Sequence, residues 1–321
     1  MKKINIILDT DIGDDIDDAF ALACLLNMQD KVNIVGITTV FVNSDHRARM
    51  VKKLLHLHHD DNIPVYAGIR EGDGSINIDG ECCQFTKDLL NDEYMPNNDV
   101  YKDNGEGAVS FLINKAKEYQ DDLTIVCIGP YSNIGRAIAK DKEAFSKCKI
   151  VTMGGNFFSR AFVEWNIYCD PKNAKVLLES GLDVTCLGID VTKKTRLTNK
   201  QYENILSYTP NDFYKYMVEL ITMHKNYQKN PKTFRPYLHD PLALFYAVFN
   251  DYVKVKKQLI KVEVNGTYTS GETVNIDYLF RYEREKRKGN RINVAYSFDK
   301  EKFMDDFMKI YKNKRKEKNY E

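Results

Sequence analysis

Six carboxylates occupy ten residues near the start of the chain: Asp9, Asp11, Asp14, Asp15, Asp17 and Asp18. They directly follow the apolar run Ile4-Asn5-Ile6-Ile7-Leu8. Two carboxylates about 4 Å apart repel by roughly 4 kcal/mol at an effective dielectric near 20, so a cluster at a strand-to-helix corner calls for a compensating charge. A bound divalent cation is the simplest compensation. Oxygen-only ligands point to Ca2+ or Mg2+, and no His or Cys stands in the run to favour zinc or copper. Helix capping explains one or two Asp at such a corner, where they meet the positive end of the helix dipole, but not six. An EF-hand does not fit either. Counting from Asp9 or Asp11 puts Phe20 or Leu22 at the twelfth loop position, which requires a bidentate Glu.

The elements that must hold these residues are legible as a pattern. Apolar, β-branched runs at residues 4–8, 32–40, 123–128, 150–153 and 184–191 alternate with helix-type spacing at 17–27, 45–59, 108–119 and 133–140. Such alternation predicts an α/β fold with an open, mainly parallel central sheet and helices on both faces, in a Rossmann-like arrangement. Near-continuous apolarity in the runs fits strands buried on both sides. Segments 258–265, 273–278 and 292–298 read as antiparallel strands appended near the C-terminus. No internal repeat and no Pro-, Gly- or Ser-rich linker divides the chain, so residues 1–321 are expected to form one catalytic domain.

In open α/β sheets, ligands gather at the carboxyl ends of the strands. Polar residues recur there: Asp9 and Asp11 after the first run, Thr38, Thr39 and Asn43 after the second, Gly129-Pro130-Tyr131-Ser132-Asn133 after the third, and Gly154-Gly155-Asn156 after the fourth.

Composition excludes several classes of function. With 47 basic and 46 acidic residues the net charge is +1, which gives no electrostatic reason to expect nucleic acid or a membrane as partner. The longest apolar runs are strand-sized, far below the roughly 20 residues of a membrane span, and the start is too short in apolar residues for a secretory signal. A cytoplasmic location is the expectation. The seven cysteines include the vicinal pair Cys82-Cys83 but no paired CxxC spacing, and read as reduced thiols. The basic runs 281–291 and 309–318 read as solvated surface. His56, His58 and His59 fall at a helix end, where they complement the dipole.

Two further motifs complete the set: Glu164-Trp165-Asn166 with Asp170-Pro171, and His239-Asp240-Pro241. Together with the acidic run, Ile37-Thr38-Thr39-Val40-Phe41-Val42-Asn43, Pro64-Val65-Tyr66-Ala67-Gly68 and Met153-Gly154-Gly155, they make the chain resemble the inosine-uridine-preferring nucleoside hydrolase family over nearly its whole length. The resemblance implies hydrolysis of the N-glycosidic bond of a ribonucleoside to free base and ribose, in nucleoside catabolism and salvage, with a tightly bound Ca2+. It also implies a homodimer or homotetramer.

Residue by residue, the resemblance makes Asp11 the general base and a metal ligand. Asp18, Asp240 and the Ser132 main-chain carbonyl are the other metal ligands. Asp17, Asn43, Glu164 and Asn166 grip the ribose hydroxyls, with Asn156 as a further sugar ligand. His239 is the candidate proton donor to the leaving base. On residue type alone, His239 equally suits a cap on the helix that Pro241 begins. Trp165, Tyr227, Phe234 and Tyr237 could form a stacking wall for the base or pack as ordinary aromatics.

The chain departs from the family at Gly13-Asp14-Asp15-Ile16-Asp17-Asp18, two residues longer than the common G-x-D-D form. Aligning on Asp17-Asp18 makes Asp18 the ligand, and the other assignment is Asp15. The loop Asp79-Gly80-Glu81-Cys82-Cys83 lacks the His-Gly of many relatives. Two other readings compete. One is a haloacid-dehalogenase-type Mg2+ phosphatase, for which Asp9-Thr10-Asp11 after a strand would supply an aspartyl nucleophile and a second acid. The other is a non-catalytic relative that binds a nucleoside or ribose.

Overall fold

The computed structural model describes residues 2–70, 93–159, 162–249 and 251–313. Ten strands are present among them: β1 (Ile4–Thr10), β2 (Val32–Thr39), β3 (Val65–Ala67), β4 (Leu123–Cys127), β5 (Lys149–Met153), β6 (Asp183–Leu187), β7 (Val253–Gln258), β8 (Ile260–Val262), β9 (Thr273–Asn275) and β10 (Ile292–Phe298). The central sheet runs β3-β2-β1-β4-β5-β6-β10-β7. Every pairing in it is parallel except β10 with β7 at one edge. The predicted α/β architecture is therefore the observed one, and β8 and β9 form the expected antiparallel pair near the C-terminus, as a separate ribbon.

Strand partners were less legible than strands. β10 does not sit beside the sheet as an antiparallel addition. It lies within the sheet, parallel to β6 through Asn293↔Thr185 and Val294↔Cys186. The long helical excursion between β6 and β10 is the crossover that permits this, since a parallel pair needs a long connection. The run 184–191 also divides. Its strand ends at Leu187, and Gly188 leads into the short helix Ile189–Thr192, because a Cβ at Gly188 would stand 2.7 Å from the Gly155 carbonyl oxygen.

Two apolar layers pack on the sheet. On one face lies the helix Asp17–Asn27, whose eleven residues are all buried, together with the helices His239–Phe249 and Lys300–Tyr311. On the other lie the helices Glu106–Tyr119, Ser132–Lys140 and Pro171–Leu178. Truncating one fully buried member, such as Leu22→Ala, would cost about 2–5 kcal/mol. Strand order reverses between β2-β1 and β4, which opens a crevice at the carboxyl ends of β1 and β4. Asp9 stands there, in register with Thr38 on one side and Cys127 on the other.

The histidines at the end of the helix Ser44–Leu57 serve local structure. His58 Nδ1 lies 2.6 Å from Asp60 Oδ2, and His56 Nδ1 lies 3.0 Å from Asp61 Oδ1.

Candidate functional site

The corner after β1 is held by its own side chains. Asp9 Oδ1 accepts from the Thr38 hydroxyl at 2.6 Å and from Asn133 Nδ2 at 2.8 Å, and burial pushes its carboxyl up to about 7. Asn133 also donates to the Thr39 carbonyl at 3.0 Å and accepts from the Ile69 amide at 2.8 Å, so one amide side chain binds the loops after β1, β2 and β3. The Thr10 hydroxyl donates to Asp18 Oδ1 and accepts from the Ile12 amide at 3.1 Å. This fastens the first turn of the helix Asp17–Asn27 to the end of the strand. Asp9 is fully buried, with Oδ1 committed to these bonds, a poor position for the aspartyl nucleophile of a phosphatase.

Asp11, Asp17, Asp18 and Asp240 converge at this corner from opposite ends of the chain, each between 3 and 6% exposed. Asp17, Asp18 and Asp240 each offer an oxygen within 4.8 Å of the others. The Asp240 amide donates to Asp17 Oδ2 at 3.3 Å. Burial first, and then mutual repulsion, push all four carboxyls up, Asp18 to about 8. Four carboxylates that cannot all ionise comfortably, all oxygen donors and all buried, fit a hard divalent cation. The grouping holds Asp17, Asp18 and Asp240, and contains neither Asp11 nor Asp15. Asp15 is exposed, caps its own turn by accepting from the Ile16 amide at 2.6 Å, and approaches His224 Nε2 at 3.4 Å.

The loop after β4 passes close to Asp11. A Cβ at Gly129 would stand 2.8 Å from both the amide nitrogen and Oδ1 of Asp11, so glycine is needed for the approach. Ser132, whose main-chain carbonyl is the expected ligand, opens the next helix, and its hydroxyl donates to Asp170 Oδ2 at 2.6 Å. Asn43 caps the helix Ser44–Leu57 from a left-handed conformation at φ 59°, and Phe41 two residues earlier has φ 72°, which is strained for an aromatic residue.

Glu164 and Asn166 lie across the crevice at the ends of β4 and β5. Glu164 accepts from the amides of Gly155 (2.9 Å), Asn166 (3.0 Å) and Ile167 (3.3 Å), while burial raises its carboxyl. Its position is thus fixed by backbone on two loops. Asn166 Nδ2 donates to the carbonyls of Ile128 at 2.8 Å and Met153 at 3.2 Å, which leaves its amide oxygen as the acceptor on offer. Asn156 donates to the Phe162 carbonyl at 3.1 Å, and its buried Oδ1 has no hydrogen-bond partner. Such an atom is costly unless a ligand meets it.

His239 begins the helix that carries Asp240. Its Nδ1 lies 2.8 Å from the Thr192 hydroxyl, its ring stacks on Tyr237 at 5.2 Å between centroids, and burial lowers it to about 4. Phe234 packs on His224 at 5.1 Å, also on this side. Trp165 is 46% exposed, meets Phe41 edge-on at 6.4 Å, and lines a cavity of about 630 Å³ with Phe162, Tyr168 and Tyr268. Tyr227 is 58% exposed. The loop 79–83, with Cys82-Cys83, and the end of the basic run 309–318 lie outside the described residues.

Sequence reasoning missed Arg47. Its side chain is fully buried and its guanidinium donates to the carbonyls of Asp11, Ile12 and Val42 and to Asp14. The signal was available: Arg47 shares a helical face with Val51 and Leu54, where an unpaired cation would be intolerable, and the nearest surplus of negative charge is the acidic run.

Comparison with known proteins covers nearly the whole chain. A profile of the family described as inosine-uridine preferring nucleoside hydrolase matches residues 6–305. Uridine nucleosidase 1 of Arabidopsis thaliana is 31% identical over 274 residues, 83% of this chain and 80% of its own length. Pyrimidine-specific ribonucleoside hydrolase RihA of Salmonella arizonae is 30% identical over 318 residues, 94% of this chain and 96% of its own. Among solved structures, a purine-preferring ribonucleoside hydrolase from Gardnerella vaginalis superposes with a TM-score of 0.77 at 26% identity, covering 96% of this chain and 98% of its own. A plant nucleoside hydrolase at 23% identity and a TM-score of 0.81, covering 98% and 100%, shares the fold. No helix among the described residues is long and apolar enough to cross a membrane.

Proposed function

The chain belongs to the inosine-uridine preferring nucleoside hydrolase family, and from that premise we propose how its own residues cut the N-glycosidic bond of a ribonucleoside. Its reaction is hydrolysis to free base and ribose. The observation that supports the residue assignments is the buried grouping of Asp17, Asp18 and Asp240, with Asp11 near enough to Asp18 for the two carboxyls to repel.

Asp11, Asp18, Asp240 and the Ser132 carbonyl would hold a Ca2+ ion. When bound, the ion offsets the carboxylates and makes a neighbouring water more acidic. Asp11 takes the proton of the attacking water, whose oxygen bonds to the anomeric carbon as the bond to the base breaks. The sugar passes through an oxocarbenium-like state. Asp17, Asn43, Glu164, Asn166 and Asn156 bind the ribose hydroxyls, where strict discrimination is available because an unmet buried partner is costly. The unpartnered Asn156 Oδ1 supports this for one position.

His239 faces the leaving base. With its ring lowered to about 4, only about one molecule in a thousand carries the imidazolium at pH 7. It therefore donates a hydrogen bond to the departing base from a neutral ring whose Nδ1 lies against the Thr192 hydroxyl, and the base takes its proton from solvent. Trp165 supplies an aromatic wall beside the sugar loop.

In this reading residues 1–321 act as one catalytic domain, in the cytoplasm, as a homodimer or homotetramer. The five described cysteines, all buried, suit a reducing compartment. The deciding experiment is a panel of nucleosides, uridine and inosine first, assayed for reducing sugar with and without a chelator. Release of ribose that chelation stops and Ca2+ restores is the expected result. Tight ribose binding with no turnover on any nucleoside would favour a non-catalytic relative.

A further inference from the structure

The acidic corner holds one buried cation among its described side chains, and its geometry is that of a clamp. Arg47 sits one turn into the helix Ser44–Leu57, with its side chain 0% exposed. Its Nε donates to the Val42 carbonyl at 2.9 Å, in the turn that leads to Asn43. Nη1 donates to the carbonyl of Asp11 and, at 3.2 Å, to that of Ile12. Nη2 donates to Asp14 Oδ2 at 2.9 Å. One planar group thus joins three segments: the residue assigned as base, the turn after β2 with its two positive-φ residues, and the acidic residues by which this corner exceeds the common family form.

We propose that Arg47 is a positioning residue for the hydrolytic reaction, which locks the main chain of Asp11 against the Val42-Asn43 turn, with Asp14 as the anchor that orients its guanidinium. This rests on the assignment of Asp11 as the base. The clamp explains why a buried arginine is needed here. A lysine ammonium has no planar fork and cannot meet acceptors on three segments at once. An apolar residue would leave the carbonyls of Asp11 and Val42 without a donor in a buried site. It also gives Asp14 a purpose: a carboxylate opposite Nη2 fixes the plane of the fork, as charge-assisted bonds do. The consequence for chemistry is a division of labour. The cation and the ribose are gripped by side chains elsewhere, while Arg47 sets where the Asp11 carboxylate stands relative to the anomeric carbon. A displacement there of a fraction of an ångström affects turnover more than binding.

The test is Arg47→Lys in the full chain, with steady-state hydrolysis, calorimetric titration of the metal-free protein with Ca2+, and a thermal melt. The expected result is a folded protein whose kcat falls at least tenfold, whose KM stays within about threefold, and whose Ca2+ affinity drops about fivefold, since Asp11 is also a ligand. A folded Arg47→Lys variant with kcat and Ca2+ affinity both within twofold of wild type overturns the proposal. Where Arg47→Lys does not fold, Asp14→Asn keeps the carbonyl bonds and loosens only the anchor. Its kcat should then fall about threefold to fivefold at unchanged KM, and an unchanged kcat overturns the proposal. Failure of the base assignment itself looks different: Asp11→Asn would keep its turnover, whatever Arg47 does.

Discussion

The two sides of the crevice are built on different principles. The acidic side consists of Asp9, Asp11, Asp17, Asp18 and Asp240, all nearly inaccessible to solvent, fixed by Thr10, Thr38, Asn133 and Arg47 through short bonds from strand ends and helix starts. The other side consists of rings: Tyr237 on His239, Phe234 on His224, and Trp165 against Phe41, of which Tyr237 is 37% and Trp165 46% exposed. Rigid buried charge can set a reaction, whereas partly exposed rings can accommodate more than one planar base at small cost. In the proposed reading the first region carries the chemistry and the second the selectivity for the base.

The most severe way to break that contrast is Asp11→Asn. If the acidic side carries the chemistry, kcat should fall by about 10³-fold, within the range for loss of a general base. The metal-free protein should melt no lower than wild type, because one of four mutually repelling carboxylates is gone. Activity within tenfold of wild type, measured on uridine and inosine, would remove the distinction between the two sides.

Next comes the coupling of charge to metal. Asp18 is raised to about 8 in the folded chain, first by burial and then by Asp17. A raised carboxyl means that the folded protein holds a proton which the unfolded chain releases near 4. Stability of the chelated protein therefore falls as pH rises from about 4 through 8, and its melting temperature should drop by roughly 5 °C or more over that span. Cation binding must displace the same proton, so Ca2+ affinity should weaken by about tenfold per pH unit on going down from 8 to 6. Calorimetry at pH 6, 7 and 8 reads this directly. A flat affinity would mean that the cluster stays ionised without the ion.

How much of this was legible in the sequence follows the same line. Strands β1, β2, β4, β5 and β6, their parallel pairing and the acidic cluster were readable because local composition marks them as apolar β-branched runs and a surplus of carboxylates, whereas β7, with the sequence Val-Lys-Val-Lys-Lys-Gln, carries no such run. What local composition does not encode is pairing across long connections, so β10 was not seen to enter the sheet beside β6. The short β3 offered too few residues for a period to register. Arg47 was missed although it shares an apolar helical face with Val51 and Leu54, because three of its acceptors are backbone carbonyls, which no residue type announces. Sequence alone left Asp15 as the other candidate ligand; in the fold Asp18 is buried beside Asp17 and Asp240, whereas Asp15 is exposed and lies 3.4 Å from His224.

On the rim, His239→Ala should matter less than loss of Asp11. A neutral ring that only hydrogen-bonds the departing base contributes less than a full proton donor, so kcat should fall by about 10- to 100-fold. Because its own titration lies near 4, kcat/KM should show no basic limb near pH 6.5 attributable to it. A limb there that vanishes in the alanine variant would make His239 a working imidazolium and narrow the difference between the two sides.

The smallest expected effect is the most informative about selectivity. Trp165 is half-exposed and touches Phe41 only edge-on, so its removal leaves no large cavity in the core and the fold should melt within a degree or two of wild type. An aromatic contact of this kind contributes about 0.5–1.5 kcal/mol beyond its area, which corresponds to a change of roughly threefold to tenfold in KM. Trp165→Ala should therefore raise KM by that factor with kcat nearly unchanged, and the factor should differ between inosine and uridine if the ring meets the base. An equal rise for both would place the indole beside the ribose they share, as its neighbours Glu164 and Asn166 suggest. A fall in kcat instead would mean that Trp165 acts through Phe41 on the strained turn before Asn43, which would tie the rim mechanically to the acidic side.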